Sequence, residues 1–220
     1  MRSRRNRARG GRPANVTARD VEAFARCMRD GGVAVFPADT VYGLACDPDA
    51  KEAVHRLYAL KGRAPAKPAA VMFFDLDAAL AALPELGAHT VRALARLLPG
   101  GVTVLLANPA ARFALANGPD RGTLGLRVPR LTGALQPLTV LRGPLLQSSA
   151  NLAGGPDPHR VQDIPREIRQ GVDLVLDGGE LPGVPSTVVD LRRYEHEREW
   201  SLVREGAVSC TAIEAALAGG

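Results

Sequence analysis

Apolar residues recur every three or four positions at Val21, Phe24, Ala25 and Met28, which is one stripe of an amphipathic helix. Thr17 and Asp20, ahead of that stripe, make a variant of the capping box with Asp in place of Glu, and Gly31-Gly32 ends the segment. The period then changes. Val33-Ala34-Val35-Phe36 is a continuous apolar run, a buried strand that Pro37 halts. Helical spacing returns at Val54, Leu57, Tyr58 and Leu60, with Asp49 as the candidate cap. A second strand is predicted over Ala69–Phe74, followed by two Ala/Leu-rich helices around residues 77–83 and 89–98.

After Pro99-Gly100-Gly101 the chain becomes rich in strands. They are predicted over Val102–Ala107, Thr123–Val128, Leu145–Ser148, Leu174–Leu176, Thr187–Leu191 and Ser201–Arg204. Helical segments near 132–141, 163–170 and 210–218 interleave with them. Strands mixed with helices across short Gly/Pro turns specify an α/β fold, a sheet covered by helices. The near-continuous apolar strands predict that both faces of the sheet are buried. The expected organisation is a basic, disordered tail over 1–15, one body over 16–209, and a C-terminal helix and end over 210–220.

Composition adds three constraints. Hydrophobic residues make up 46 % of 220, enough for a sizeable core, but aromatics are only 4 %, too few for base-stacking platforms. The net charge of +5 is local: Arg2, Arg4, Arg5, Arg7, Arg9 and Arg12 lie among the first twelve residues, with no acid. Removing those six from 28 basic residues leaves 22 against 23 acidic ones, so the body is near neutral and the arm alone suits RNA or an acidic partner. Three scattered cysteines without a CxxC pair fit a reducing compartment, and no apolar run reaches the ~18 residues of a membrane span. The arm lacks the apolar stretch of a secretory signal, so the cytoplasm is the expected location.

The chemistry must come from side chains at loops and strand ends, because neither GxxxxGK[ST] nor GxGxxG is present. Pro37 to Leu44 follows the first strand and offers Asp39, Thr40 and Tyr42 where ligands usually meet an open α/β sheet. Lys61, Arg63 and Lys67 put three cations on a Pro-stiffened segment suited to a triphosphate or carboxylate. Gln147-Ser148-Ser149-Ala150-Asn151 turns an apolar strand polar, either to order its own loop or to present donors. Ser186 enters one strand and Arg204 leaves the next, and the two approach each other if those strands pair.

In order and spacing these stretches resemble the YrdC-like family of threonylcarbamoyl-adenylate synthases, in its single-domain form, from about Val16 to Val208. The carriers are Pro37–Leu44, Lys61-x-Arg63, Ser149-x-Asn151, Ser186–Asp190 and Arg204-x-Gly206. Ala38 and Ala153 depart from the family pattern, as does Met72, where many archaeal relatives carry His. The resemblance implies a single twisted, mixed sheet with a concave, positively charged cavity. It implies condensation of L-threonine, bicarbonate and ATP to threonylcarbamoyl-AMP and pyrophosphate, with Mg²⁺ on the ATP and no dedicated metal site. It places Thr40, Arg127 and Ser186 on the threonine and bicarbonate side, with Lys67 near the carboxylate or phosphates. It places Lys61, Arg63, Thr123, Ser149, Asn151 and Arg204 on ATP, with Lys61 and Arg63 neutralising charge during transfer. The product would pass to a tRNA threonylcarbamoyl transferase complex. Two alternatives stay open: an RNA-binding module of the same fold, disfavoured by the neutral body, and an adenylate-forming enzyme for another carbamoylation pathway.

Overall fold

Thr17 caps the first helix as its spacing predicts. Its hydroxyl accepts the Asp20 N–H at 3.3 Å while the Asp20 carboxylate accepts the Thr17 N–H at 2.8 Å, so two otherwise orphaned donors are satisfied reciprocally. Helix α1 (Ala18–Arg29) buries Val21, Phe24 and Met28, and Gly31 at φ 69° lets the chain turn back toward the sheet. This computed structural model describes residues 15–62 and 68–219; the arm up to residue 14, Arg63 and Lys67 lie outside the described residues.

Nine strands form one mixed sheet among the described residues: β1 (Ala34–Pro37), β2 (Tyr42–Cys46), β3 (Ala70–Met72), β4 (Val102–Ala107), β5 (Thr123–Arg127), β6 (Leu145–Ser149), β7 (Leu174–Val175), β8 (Thr187–Asp190) and β9 (Ser201–Arg204). Their order across the sheet is β7-β1-β2-β6-β3-β5-β4-β8-β9. Parallel pairs β1–β7, β3–β5 and β4–β8 are mixed with five antiparallel ones, as the resemblance implied. The helices are α1, α2 (Lys51–Leu60), α3 (Leu76–Ala82), α4 (Ala88–Leu97), α5 (Arg166–Gly171), α6 (Tyr194–Glu197) and α7 (Cys210–Ala218). Helix α1 packs on β1 and β7, α2 on β2, and α4 against α6 and α7.

Several elements differ from the sequence reading. Tyr42–Cys46, read as a loop, is a strand buried along its whole length, because Pro37 pairs with Tyr42 and the chain doubles back at once. Ala50, not Asp49, precedes α2, and Asp47 instead accepts the Asp49 N–H at 2.8 Å. The segment Gly133–Val140 coils as a 3₁₀ helix with Pro137 inside it, and the one-turn α6 carries too few residues to show a period.

Burial of the sheet is also uneven. Strands β1, β2 and most of β6 are covered on both faces, as expected. In β4 and β8 burial alternates with the pleat: Val102, Val104, Leu106, Thr187 and Val189 face the core, while Thr103, Leu105, Val188 and Asp190 are only partly covered. The register aligns Met72, Arg127, Thr103, Val188 and Arg204 in one row, and Gln147, Ala70, Gly125 and Leu105 in the next. One face of the sheet is therefore left partly open over its middle strands.

Candidate active site

On that open face lies a cavity of about 160 Å³. Ala69 and Ala70 are the smallest side chains lining it, and Gly125 stands beside Ala70 in the sheet. Polar groups converge on it from four strands and two loops: Thr103, Arg127, Gln147, Ser149, Asp157, Ser186 and Arg204. Larger hollows exist, about 520 Å³ beside α1 and about 490 Å³ beside Trp200. The first has mainly apolar walls, and in the second Asp190 and Arg192 already pair with each other.

Arg127 ends β5 with its side chain only 4 % exposed, a position that demands partners. Its Nη2 donates to Asp39 Oδ1 and, at 2.7 Å, to Thr40 Oγ1. Asp39 Oδ2 accepts the Arg130 N–H at 2.9 Å, so the carboxylate is anchored on two sides. The Pro37–Leu44 hairpin thus works as a clamp on Arg127, and Thr40 reaches the site through that guanidinium. Arg127 Nε is buried without a partner among the described residues.

Ser186 and Arg204 meet as the pairing of β8 with β9 requires, since Val188 stands opposite Arg204. Arg204 Nη2 donates to Ser186 O at 2.7 Å, and Ser186 Oγ lies 2.8 Å from Thr103 Oγ1. Buried Thr187 fixes this corner: its hydroxyl accepts the N–H groups of Gly206 and Val208 at 3.0 Å each and donates to Val208 O. Gly206 is obligatory here, because a Cβ would stand 2.2 Å from Pro185 O.

At the opposite end, Lys61 caps the C-terminus of α2 with its side chain 2 % exposed. Its ammonium donates to Ser149 O, to Asn151 O at 2.9 Å and to Asn151 Oδ1 at 2.8 Å. Asn151 Oδ1 also accepts from Ser149 Oγ at 2.7 Å, and Asn151 Nδ2 donates to Gly155 O at 2.6 Å. Lys61 therefore fastens the Ser149–Asn151 loop to α2, and of these three residues Ser149 is the one that lines the cavity.

Of the residues singled out in the sequence, Arg127, Ser149, Ser186 and Arg204 line the cavity; Thr40, Lys61 and Asn151 sit one contact behind it. Thr123 shares the sheet face, but its hydroxyl bonds to Asp120 at 2.8 Å and takes an N–H from Arg192 at 3.3 Å. Arg63 and Lys67 fall outside the described residues. Sequence reasoning passed over Thr103 and Asp157, and it named Gln147 within the polar stretch 147–151 without giving it a ligand. The signal for Thr103 was a polar residue inside an otherwise apolar strand.

The profile of the Sua5, YciO and YrdC family, described as telomere recombination, matches residues 26–206. The chain belongs to the Sua5/YciO/YrdC family. Its similarity to a threonylcarbamoyl-AMP synthase of Chromohalobacter salexigens is 35 % identity over 81 % of this chain and 96 % of that protein. The threonylcarbamoyl-AMP synthase of Pyrococcus abyssi is 28 % identical over 85 % of this chain, which spans 54 % of that longer relative. Among solved Sua5/YciO/YrdC structures, that of P. abyssi Sua5 complexed with L-threonine superimposes with a TM-score of 0.79 at 27 % identity, over 91 % of this chain and 58 % of the other. Among the described residues, no helix is long and apolar enough to cross a membrane.

Proposed function

We propose that this chain condenses L-threonine, bicarbonate and ATP into threonylcarbamoyl-AMP, releasing pyrophosphate and water. The observation that carries the reading is the two-ended cavity, with clamped Arg127 and the Ser186–Arg204 corner at one end and the Lys61-fastened Ser149–Asn151 loop at the other. Relatives of this fold bear the synthase name, and one was solved with L-threonine.

Arg127 takes the anionic carboxylate or bicarbonate, Ser186 the amino acid, and Lys67 lies near the carboxylate or phosphates. Ser149, Arg204, Arg63 and Thr123 hold the nucleotide, while Lys61 and Asn151 shape its loop. Charge neutralisation during transfer falls to Arg63, with the buried Lys61 ammonium adding its field from behind Ser149. At about 160 Å³ the cavity is smaller than the ~300–1,000 Å³ of pockets for drug-sized ligands, so the nucleotide extends from it past Ser149.

Two steps complete the chemistry. Threonine's amine nitrogen bonds to the bicarbonate carbon, and one amine proton leaves with hydroxide as water. A carbamate oxygen then bonds to the α-phosphorus as the bond to the β-phosphate oxygen breaks, and pyrophosphate departs with that electron pair. Neither step needs a covalent enzyme intermediate, so positioning and charge neutralisation supply the catalysis. Mg²⁺ fits as a passenger on the triphosphate. Asp157 is the one described carboxylate lining the cavity, and no group of three His, Cys, Asp or Glu side chains among the described residues could cage an ion. When bound, the ion neutralises phosphate charge.

The product is a mixed anhydride and needs prompt consumption by an acyl-transfer enzyme. Threonylcarbamoyl transfer to tRNA is the proposed use, and the six-arginine arm adds salt-sensitive RNA contacts. The test is pyrophosphate release with threonine and bicarbonate omitted in turn. Release that needs both supports the synthase, whereas RNA binding without turnover refutes it.

A further inference from the structure

Gln147 sits in the middle of β6 with 8 % of its surface exposed, and its side chain lines the cavity. A carboxamide carries two donor hydrogens and an acceptor oxygen, and a buried one is normally satisfied by its neighbours. Here no described group hydrogen-bonds to either amide atom, and neither atom is sealed from the cavity. The fold makes room for this side chain. A Cβ on Gly43 would stand 2.9 Å from Gln147 Nε2, so the glycine of the Pro37–Leu44 hairpin lets the amide lie against β2.

The register says what the amide faces. Gln147 stands opposite Ala70, which lines the cavity and stands opposite Gly125, so small residues leave space beside it. Ser149 is one pleat repeat further along the same face of β6, about 7 Å away. Arg127 lies two strands across, roughly 10 Å, and one repeat in the other direction. Gln147 is thus placed between Ser149, assigned to the nucleotide, and Arg127, assigned to the carboxylate or bicarbonate.

Resting on the proposed function, we propose that Gln147 is a catalytic residue whose Nε2–H₂ donates to an oxygen at the carbamoyl–phosphoryl junction, where the two substrates join. As the carbamate oxygen bonds to the α-phosphorus and the pyrophosphate oxygen leaves with the bonding pair, charge redistributes over the oxygens at that junction. A neutral donor held there adds little to binding of substrates already gripped by Arg127 and Arg204, and its effect is realised as charge shifts in the transition state. No proton leaves the amide.

The experiment compares wild type with Gln147→Leu and Gln147→Glu by pyrophosphate release, with melting curves recorded for all three. The expected result is a roughly 10²–10³-fold lower kcat in Gln147→Leu, with KM for threonine and ATP each within about threefold of wild type, as for loss of one preorganised donor. Gln147→Glu keeps the shape and removes the donor, so it should be equally slow while melting near wild type, which separates catalysis from folding. Wild-type kcat in both variants overturns the proposal. So does a rise in KM at unchanged kcat, which would make Gln147 a binding residue only. A wild-type protein that releases no pyrophosphate with threonine and bicarbonate refutes the synthase reading itself, a different outcome from either of these.

Discussion

Replacing Lys61 with Met keeps an unbranched stem in the same tunnel and deletes the ammonium. Three acceptors lose their charged donor: Ser149 O, Asn151 O and Asn151 Oδ1. Each buried acceptor left unsatisfied costs about 1–3 kcal/mol. Relief of the ammonium's own desolvation offsets part of this. A net loss of about 3–5 kcal/mol is expected, a large share of the ~5–15 kcal/mol that holds a domain together. At about 2–4 °C per kcal/mol for a chain of this length, Tm should fall by about 6–20 °C. Thermal unfolding followed by circular dichroism measures it. ATP affinity by calorimetry should fall too, because Asn151 loses the contact that orients its amide. Asn151→Ala removes one of the same contacts, the bond from Lys61 to Asn151 Oδ1, so the double variant should lose less than the sum of the singles, with a coupling of about 0.5–3 kcal/mol. A Tm within about 2 °C of wild type, or strict additivity, refutes the view that Lys61 fastens this loop.

Other outcomes follow from the same geometry. Ser186→Ala should weaken threonine by about 0.5–1.5 kcal/mol and leave ATP nearly unchanged, whereas Arg204→Ala should weaken ATP by about 1.5–3 kcal/mol; calorimetric titration of each ligand into each variant separates them. The Arg192 guanidinium beside Asp190 holds that carboxyl below its ordinary range. A depressed folded pKa stabilises above the unfolded value of ~3.9, and the benefit is lost as pH falls through the folded value. Arg192→Ala should therefore shrink the difference in Tm between pH 7 and pH 3, and an unchanged difference refutes the pairing. Burial pushes the Cys46 thiol up to about 12 and the Cys27 thiol to about 11. At pH 8 both should resist iodoacetamide in the native protein while Cys210 is alkylated, read by mass spectrometry of the peptides.

The α1 cap and stripe were legible because they are local: Thr17, Asp20 and the 3.6-residue period lie within one window. So were β4, β5 and β6, whose apolar runs are bounded by turn residues. The strand Tyr42–Cys46 was not. Its Gly and Tyr lay within a stretch read for its chemistry, and pairing with β1 across the turn and with distant β6 makes it a strand. Of the candidate site, the polar residues at strand ends were visible as interruptions of apolar runs. What each one touches was not, because contacts such as Lys61 with Asn151 and Arg127 with Asp39 span about 90 residues. The sequence marked Lys61 as a cation for phosphate; its burial under the Ser149–Asn151 loop depends on where β6 ends.

The strand order also sets a timetable for synthesis. The hairpin β1–β2 is complete at Cys46, yet the strand that joins it to β3 is β6, which begins about a hundred residues later at Leu145. At ~5–20 residues per second, a ribosome takes about 5–20 s to cover that stretch. Throughout that interval β2 has an apolar edge with no strand to pair with, the kind of template on which chains aggregate. The β1–β2 hairpin is joined to the β3–β5–β4 group only by β6, and the cavity wall is finished only when Arg204 leaves the exit tunnel. Production of active protein should therefore depend on translation speed and chaperone supply far more than the stability of the finished sheet suggests.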